Sequence, residues 1–156
     1  MVSESDKDGY ERRITRRLVS YWKEIYNTKG VFPKESDIDA DDLEDIWDNC
    51  FLLNIKINPE NKQIKGVYSY LGASLLEAYG CNFTGEDFYS SMISANNPDV
   101  AHKFMLSINA REPVIAEGSF VNGAGMEILY RQCFLPLCND SGIVTHVFGG
   151  MKWMVK

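Results

Sequence analysis

This sequence of 156 residues has no long apolar run. Its longest runs, such as residues 50–53, are far shorter than the roughly 20 residues that span a bilayer. Residues 1–8 are polar and acidic, and they lack the basic start and apolar core of a secretory signal. We therefore expect no membrane span and a cytoplasmic location.

Cysteine is scarce as well. The four cysteines are scattered and no Cys-x-x-Cys pair occurs, so the sequence predicts neither a disulfide framework nor a four-ligand zinc site. We expect reduced thiols and no bound metal. The cysteines are Cys50, Cys81, Cys133 and Cys138.

Basic charge and catalytic motifs are also lacking. The net charge of -6 argues against a basic surface that captures nucleic acid over the whole molecule. The Gly-Ser-Phe sequence at 118–120 lacks the flanking glycine of a nucleophile elbow. We expect a protein that is not an enzyme and does not bind nucleic acid, with a small enzyme as the weaker alternative.

Apolar residues at helical spacing predict a helix near the N-terminus, after a disordered segment at 1–8. From residue 10 they recur every three or four positions, whereas the opposite face carries arginines. This apolar stripe must be buried, either on the chain's own sheet or on a second copy. We expect the second, with the stripe forming part of a homodimer interface. The stripe consists of Tyr10, Ile14, Leu18, Tyr21, Trp22 and Ile25.

A strongly acidic segment follows at 35–48. Leu43, Ile46 and Trp47 have the spacing of the buried side of a short helix. The aspartates show part of a calcium-loop pattern, but Asp42 stands where such a loop requires glycine, so we expect no calcium. The contrast between the basic helix and this acidic segment offers a docking surface if the protein is a ligand-free interaction module.

The remaining pattern predicts a hairpin, several short helices and then three antiparallel strands. Helices inserted between a leading hairpin and a trailing meander are typical of an α+β fold with helices on one sheet face. The predicted strands are 51–57, 64–71, 113–121, 126–138 and 143–155, the last with a bulge or bend at Gly149 and Gly150, and the predicted helices are 73–79, 90–97 and 99–109.

This order of elements resembles the PAS (Per-Arnt-Sim) sensory fold, and in particular a family of small bacterial single-domain PAS-like proteins of poorly defined function. No single motif decides the resemblance, but order and spacing together are specific. The matching residues are Leu-Val-Ser-Tyr-Trp at 18–22, residues 33–43, Tyr-Leu-Gly at 70–72, Gly80 with Phe-Thr-Gly at 83–85, Leu-Pro-Leu at 135–137, residues 140–144 and Gly149.

The resemblance implies a five-stranded antiparallel sheet at 50–156, after an N-terminal helical extension at 9–49, and a pocket between sheet and helices. We expect a sensory or regulatory module that binds a small molecule or a protein partner and signals as a homodimer. Arg131 either points inward to anchor an anion or points outward to pair with Glu117. His146 either hydrogen-bonds in the pocket or lies on the sheet surface. The candidate ligand-binding residues are Tyr70, Phe83, Phe88, Phe104, Arg131 and His146.

Neither of the two common cofactors of this fold is expected. Flavin photosensors carry an Asn-Cys-Arg-Phe-like motif on a helix, whereas Gly-Cys-Asn-Phe at 80–83 has similar residues in another order. Haem sensors place a histidine on the helix before the third strand, but His102 lies off the apolar face of that predicted helix. We therefore expect no cofactor.

Overall fold

The structure is a computed structural model that describes the backbone of residues 4–94 and 97–156 and the side chains of 14–92 and 97–156. Two short 3₁₀ segments, Glu35–Asp37 and Ala40–Asn49, separate the first helix from the sheet. The helices are α1 Glu4–Lys29, α2 Ala73–Tyr79, α3 Phe88–Ser94 and α4 Pro98–Ala110, and the strands are β1 Cys50–Ile57, β2 Ile64–Leu71, β3 Val114–Val121, β4 Glu127–Cys138 and β5 Val144–Val155.

The five strands form one sheet in the order β2-β1-β5-β4-β3, and every neighbouring pair is antiparallel. The predicted α+β architecture is therefore confirmed. Buried side chains form two apolar clusters, one on each side of the sheet. We call the side covered by α2, α3 and α4 the helix face and the other side the α1 face.

Helix α1 packs on its own sheet, which is the first of the two alternatives for the apolar stripe. Ile14, Leu18 and Trp22 are buried there, and Trp22 Nε1 donates to the carbonyl of Pro136 at 2.8 Å. Gly150 makes room for the helix, because a Cβ there would lie 2.5 Å from Leu18 Cδ1. These three side chains are thus covered within one chain.

The remaining stripe residues are less buried or fall outside the description. Tyr21 and Ile25 are half-buried, and the side chain of Tyr10 lies outside the described residues. The helix itself begins at Glu4, so the predicted disorder at 1–8 is wrong over 4–8, while 1–3 lie outside the described residues. No proline interrupts α1, and this allows the helix to continue through that polar start.

The basic and acidic segments pair with each other inside the chain. Arg17 forms a salt bridge with Asp45 and donates to the carbonyl of Asp42 at 2.9 Å. The hydroxyl of Tyr21 lies 3.0 Å from Asp42 Oδ2, and Lys29 pairs with Asp37. The basic side chains of α1, predicted as one side of a docking surface, therefore bind the acidic 3₁₀ segments of the same chain.

Two local expectations need correction. The pairing of β5 with both of its neighbours has no register shift at Gly149 or Gly150, whereas shifts occur at Leu52/Leu53 and Leu137/Cys138. Gly149 is required by close packing, since a Cβ there would lie 2.0 Å from the carbonyl oxygen of Cys133.

The helix predicted at 90–97 is α3, Phe88–Ser94, and residues 95 and 96 lie outside the described residues.

Candidate functional site

The six predicted ligand-binding residues lie on opposite sides of the sheet. Phe83, Phe88 and Phe104 belong to the cluster on the helix face. Tyr70 packs against the cluster on the α1 face. Every second residue of a strand lies on the same face, so Arg131 shares that face with Cys133 and Leu135, which belong to the same cluster. For the same reason His146 lies on the α1 face with Phe148, which is two residues further along β5. The structure therefore does not bring the six together.

The three phenylalanines on the helix face pack directly on other rings. The ring centroids of Phe88 and Phe104 are 4.5 Å apart, and both rings contact Phe134 on β4 at 5.8 and 6.1 Å. Phe83 lies 5.3 Å from Tyr79. Aromatic rings at these separations pack as a hydrophobic core. The middle of the helix face is therefore filled by side chains.

The three polar candidates make local contacts on the α1 face. Tyr70 donates its hydroxyl hydrogen to the carbonyl of Trp47 at 3.0 Å. Arg131 Nε donates to Glu117 Oε2 at 3.0 Å, so the outward alternative applies to Arg131. His146 is half-buried, and its Nδ1 lies 2.9 Å from Thr145 Oγ1.

A polar cluster on the helix face was not predicted. It consists of Asn97 at the start of α4 with Tyr130 and Gln132 on β4, and we call it the amide cluster. Asn97 is 4% exposed and Gln132 is 1% exposed. The hydroxyl of Tyr130 donates to Asn97 Oδ1 at 3.1 Å. The sequence does contain one indication of this cluster. Successive side chains of a strand point to opposite faces, so Tyr130 and Gln132 share the face opposite Arg131.

Two hydrogen-bond donors in the amide cluster have no partner among the described residues. They are the side-chain nitrogens Asn97 Nδ2 and Gln132 Nε2. A buried donor without a partner costs about 1–3 kcal/mol, and most buried polar groups in proteins are satisfied by protein or water. Acceptor atoms of a bound molecule or of ordered water would satisfy the two groups.

The phenol of the amide cluster stays protonated at neutral pH. Burial raises the pKa of Tyr130, the hydrogen bond with Asn97 opposes that shift, and the charge of Asp99 adds to it. Tyr130 therefore keeps its hydroxyl hydrogen for Asn97 Oδ1, and the N–H₂ groups of Asn97 and Gln132 remain as donors. The cluster suits acceptor atoms such as carbonyl, carboxylate or ring nitrogen.

A second feature is an open cleft of about 1090 Å³ between the β1–β2 hairpin and helices α3 and α4. Lys56, Lys62 and Lys65 line it, and none of the three forms a salt bridge with a described carboxylate. Tyr89 and Ile57 also line the cleft and are exposed. We call this feature the lysine cleft, and it combines positive charge with exposed apolar surface.

The pKa values of all four cysteines are raised, because each thiol is at least partly removed from water. Burial raises the pKa of Cys133 to about 12, and burial also raises the pKa of Cys50 and of the exposed Cys81. Across the described ranges, no three His, Cys, Asp or Glu side chains are grouped so that they could hold a metal ion. Nor is any helix in the described part of the chain long and apolar enough to cross a membrane.

No family model matches the sequence, and no curated protein matches it either. The structure resembles solved light-oxygen-voltage and PAS domains. A light-oxygen-voltage domain from work with a flavin analogue gives a TM-score of 0.55 at 12% identity and covers 73% of this chain and 82% of its own. The dark structure of the Aureochrome1 light-oxygen-voltage domain gives 0.54 at 11% identity, with 72% and 79% covered. A PAS domain from Colwellia psychrerythraea gives 0.51 at 7% identity, with 73% and 95% covered.

The residues of this chain do not fit a photoreactive flavin. Cys81 lies in a turn after α2, beyond Gly80, whose φ of 75° ends that helix, and it is exposed. The rings of Phe88, Phe104 and Phe134 also occupy the middle of the helix face. His102, the haem candidate, is exposed on α4. What the comparisons establish is the fold, and by its fold this chain is a PAS-like protein.

Proposed function

We propose that this chain is a sensory or regulatory module that binds a small molecule at the amide cluster. The observation that carries the proposal is the pair of buried donors, Asn97 Nδ2 and Gln132 Nε2, for which the described part of the chain supplies no acceptor. The molecule presents hydrogen-bond acceptors to both nitrogens. It is small, because the neighbouring helix face is filled by aromatic rings.

The position of the amide cluster gives binding a route to the rest of the molecule. Asn97 precedes the first residue of α4, while Tyr130 and Gln132 belong to β4. On its other face β4 carries α1, through Trp22 and Pro136. A ligand that prefers one arrangement of α4 and β4 shifts the population toward that arrangement. The proposed role is binding and response, not catalysis, with a second copy of the chain as the partner that reads the response.

The lysine cleft supports a second candidate function, an interaction module. Three lysines that form no salt bridge with a described carboxylate line the cleft together with exposed Tyr89 and Ile57, and Glu60 and Asp87 also lie in its lining. This arrangement complements a partner that combines acidic and apolar groups. The two candidates use different residues and can therefore be separated by mutation.

A thermal-shift screen with nucleotides, fatty acids, flavins, haem and small carboxylates tests the first candidate. Ligands that bind the folded state raise the melting temperature. We expect at least one compound to raise it for the wild type and to lose that effect in Gln132→Met. Gln63 is exposed and lines the lysine cleft, so Gln63→Met is the matched control that keeps the effect if the compound binds at the amide cluster.

The same screen separates the two candidate functions. If Lys56→Gln and Lys65→Gln abolish the shift while Gln132→Met keeps it, the site is the lysine cleft and the amide-cluster proposal is wrong. A complete absence of shifts across the screen also contradicts it.

A further inference from the structure

The two edges of the sheet differ in how they are protected. Edge strand β2 is covered by residues 85–87, since Gly85 N donates to the carbonyl of Tyr68 at 2.8 Å and Tyr68 N donates to that of Glu86 at 3.2 Å. The β1–β2 pairing also contains a register shift. Along the other edge, no backbone group among the described residues outside β4 bonds to Val114–Val121.

Strand β3 has no bulge, lysine or proline to block its edge, and its one charged residue, Glu117, pairs with Arg131 on the neighbouring strand. Its eight residues pair with β4 in one unbroken register, and its sequence, Val-Ile-Ala-Glu-Gly-Ser-Phe-Val, contains neither lysine nor proline. Natural edge strands commonly carry such residues or a bulge, because a regular open edge pairs with other strands. An open edge of this length is therefore ready to accept another strand.

The hydrogen-bond alternation shows which residues face the open edge. At the hairpin Asn122 N donates to the carbonyl of Met126 at 2.9 Å, and Lys156 N donates to the carbonyl of Glu127 at 2.9 Å on the β5 side. Alternate residues of an antiparallel strand direct their backbone groups to opposite sides. Four residues therefore direct N–H and C=O groups away from β4. They are Ile115, Glu117, Ser119 and Val121.

We propose that β3 pairs antiparallel with β3 of a second copy, with the two-fold axis at Gly118. In this register Ile115 lies opposite the partner's Val121, and Glu117 lies opposite the partner's Ser119. The four outward residues of each copy then form about eight backbone hydrogen bonds across the axis. Ile115 is 45% exposed and Val121 is 51% exposed, so the pairing covers two apolar side chains per copy.

Charge selects this register. A two-fold axis at Glu117 would place two carboxylates directly opposite each other, which destabilises a sheet. An axis at Ser119 would pair Ile115 with Gly123, beyond the end of the strand. With the axis at Gly118, Glu117 meets a hydroxyl. Arg131 donates to Glu117 Oε2 through both Nε and Nη2, which leaves Oε1 for the partner's Ser119.

This interface deepens the dimerisation part of the proposed function and does not involve the amide cluster. Its test is analytical ultracentrifugation of the full chain over a concentration series, with Ser119→Lys, Ser119→Glu and Ser119→Pro. We expect a wild-type dimer. Ser119→Lys places opposite charges across the axis and lowers Kd, whereas Ser119→Glu places like charges there and raises it, each by about two- to thirty-fold.

Ser119→Pro removes an outward N–H that makes no bond to β4, so we expect folded protein whose dimer is weakened about tenfold or more. Exposed Ser36→Lys is the control for added charge. A wild-type protein that is monomeric at every concentration contradicts the proposed interface. So does a Kd that shifts in the same direction in Ser119→Lys and Ser119→Glu. If Ser119→Pro does not fold, the opposite Kd shifts expected for Ser119→Lys and Ser119→Glu still test the interface. A ligand-induced melting shift that persists in Ser119→Glu shows that the amide cluster binds its ligand when the interface is weakened, so the two proposals can fail separately.

Discussion

Gln132 is the residue on which the account of the site depends. Its amide is buried, and its Nε2 has no acceptor among the residues that the structure describes, which costs the ligand-free protein stability. Methionine has a similar volume and no donor. In protein refolded to remove bound molecules, we expect Gln132→Met to raise the free energy of unfolding by about 1–3 kcal/mol.

Urea denaturation measures this change. Gln63→Met is the control, because Gln63 is exposed and its replacement changes stability by about 0.5 kcal/mol or less. A marked loss of stability in Gln132→Met would show that the amide is already satisfied in the free protein.

His146 makes the stability of the protein depend on pH. Burial lowers the pKa of His146 from its usual 6.5, and the charge of Glu35 partly opposes the shift. The unfolded chain binds a proton near pH 6.5, whereas the folded chain binds it only at lower pH. This contribution to stability is therefore present above pH 6.5 and is lost as the pH falls below that value.

Melting temperatures between pH 7.5 and about 5.5 test this expectation. His146→Gln should show a smaller decrease over this range than the wild type. The matched control is His102→Gln on the exposed side of α4. An identical decrease in wild type and His146→Gln would assign the pH dependence to other groups.

At the scale of elements, α1 is part of the core of a single chain. Leu18 is fully buried on the sheet beside Gly150. We expect Leu18→Ala to lower the free energy of unfolding by about 2–5 kcal/mol. Because the contact lies within one chain, the loss should be the same at low and high protein concentration. A loss that disappears on dilution would place α1 on a second copy instead. Lys23→Ala, on the exposed side of α1, is the control for helix propensity.

Periodicity was sufficient to predict the elements but not their contacts. Alternation and turn residues predicted all five strands, and the helical stripe predicted α1. The same stripe fits its own sheet or a second copy, so only tertiary packing shows that Leu18 meets Gly150. The alternation of β4 separated Arg131 from Gln132 but could not show which face the helices cover. Glu117 contacts Arg131, and Asn97 contacts Tyr130. Both partners come from other segments of the chain, so the pattern of β4 alone could not predict these contacts.

For the whole molecule, β4 connects the features proposed to carry function. It carries Gln132 on the helix face, supports α1 through Pro136 on the other face, and holds β3 at the open edge. A molecule bound at the amide cluster therefore contacts the strand that also borders the proposed dimer interface. This arrangement couples binding to association, provided that the ligand favours one position of β4.

Native mass spectrometry of freshly purified protein tests the central claim, that the amide cluster binds a small molecule, most directly. The account predicts that the wild type and Gln63→Met carry additional mass from a bound small molecule and that Gln132→Met carries much less. A wild type at the mass of the bare chain that also shows no thermal shift in the ligand screen, or the same additional mass in Gln132→Met, would contradict the claim.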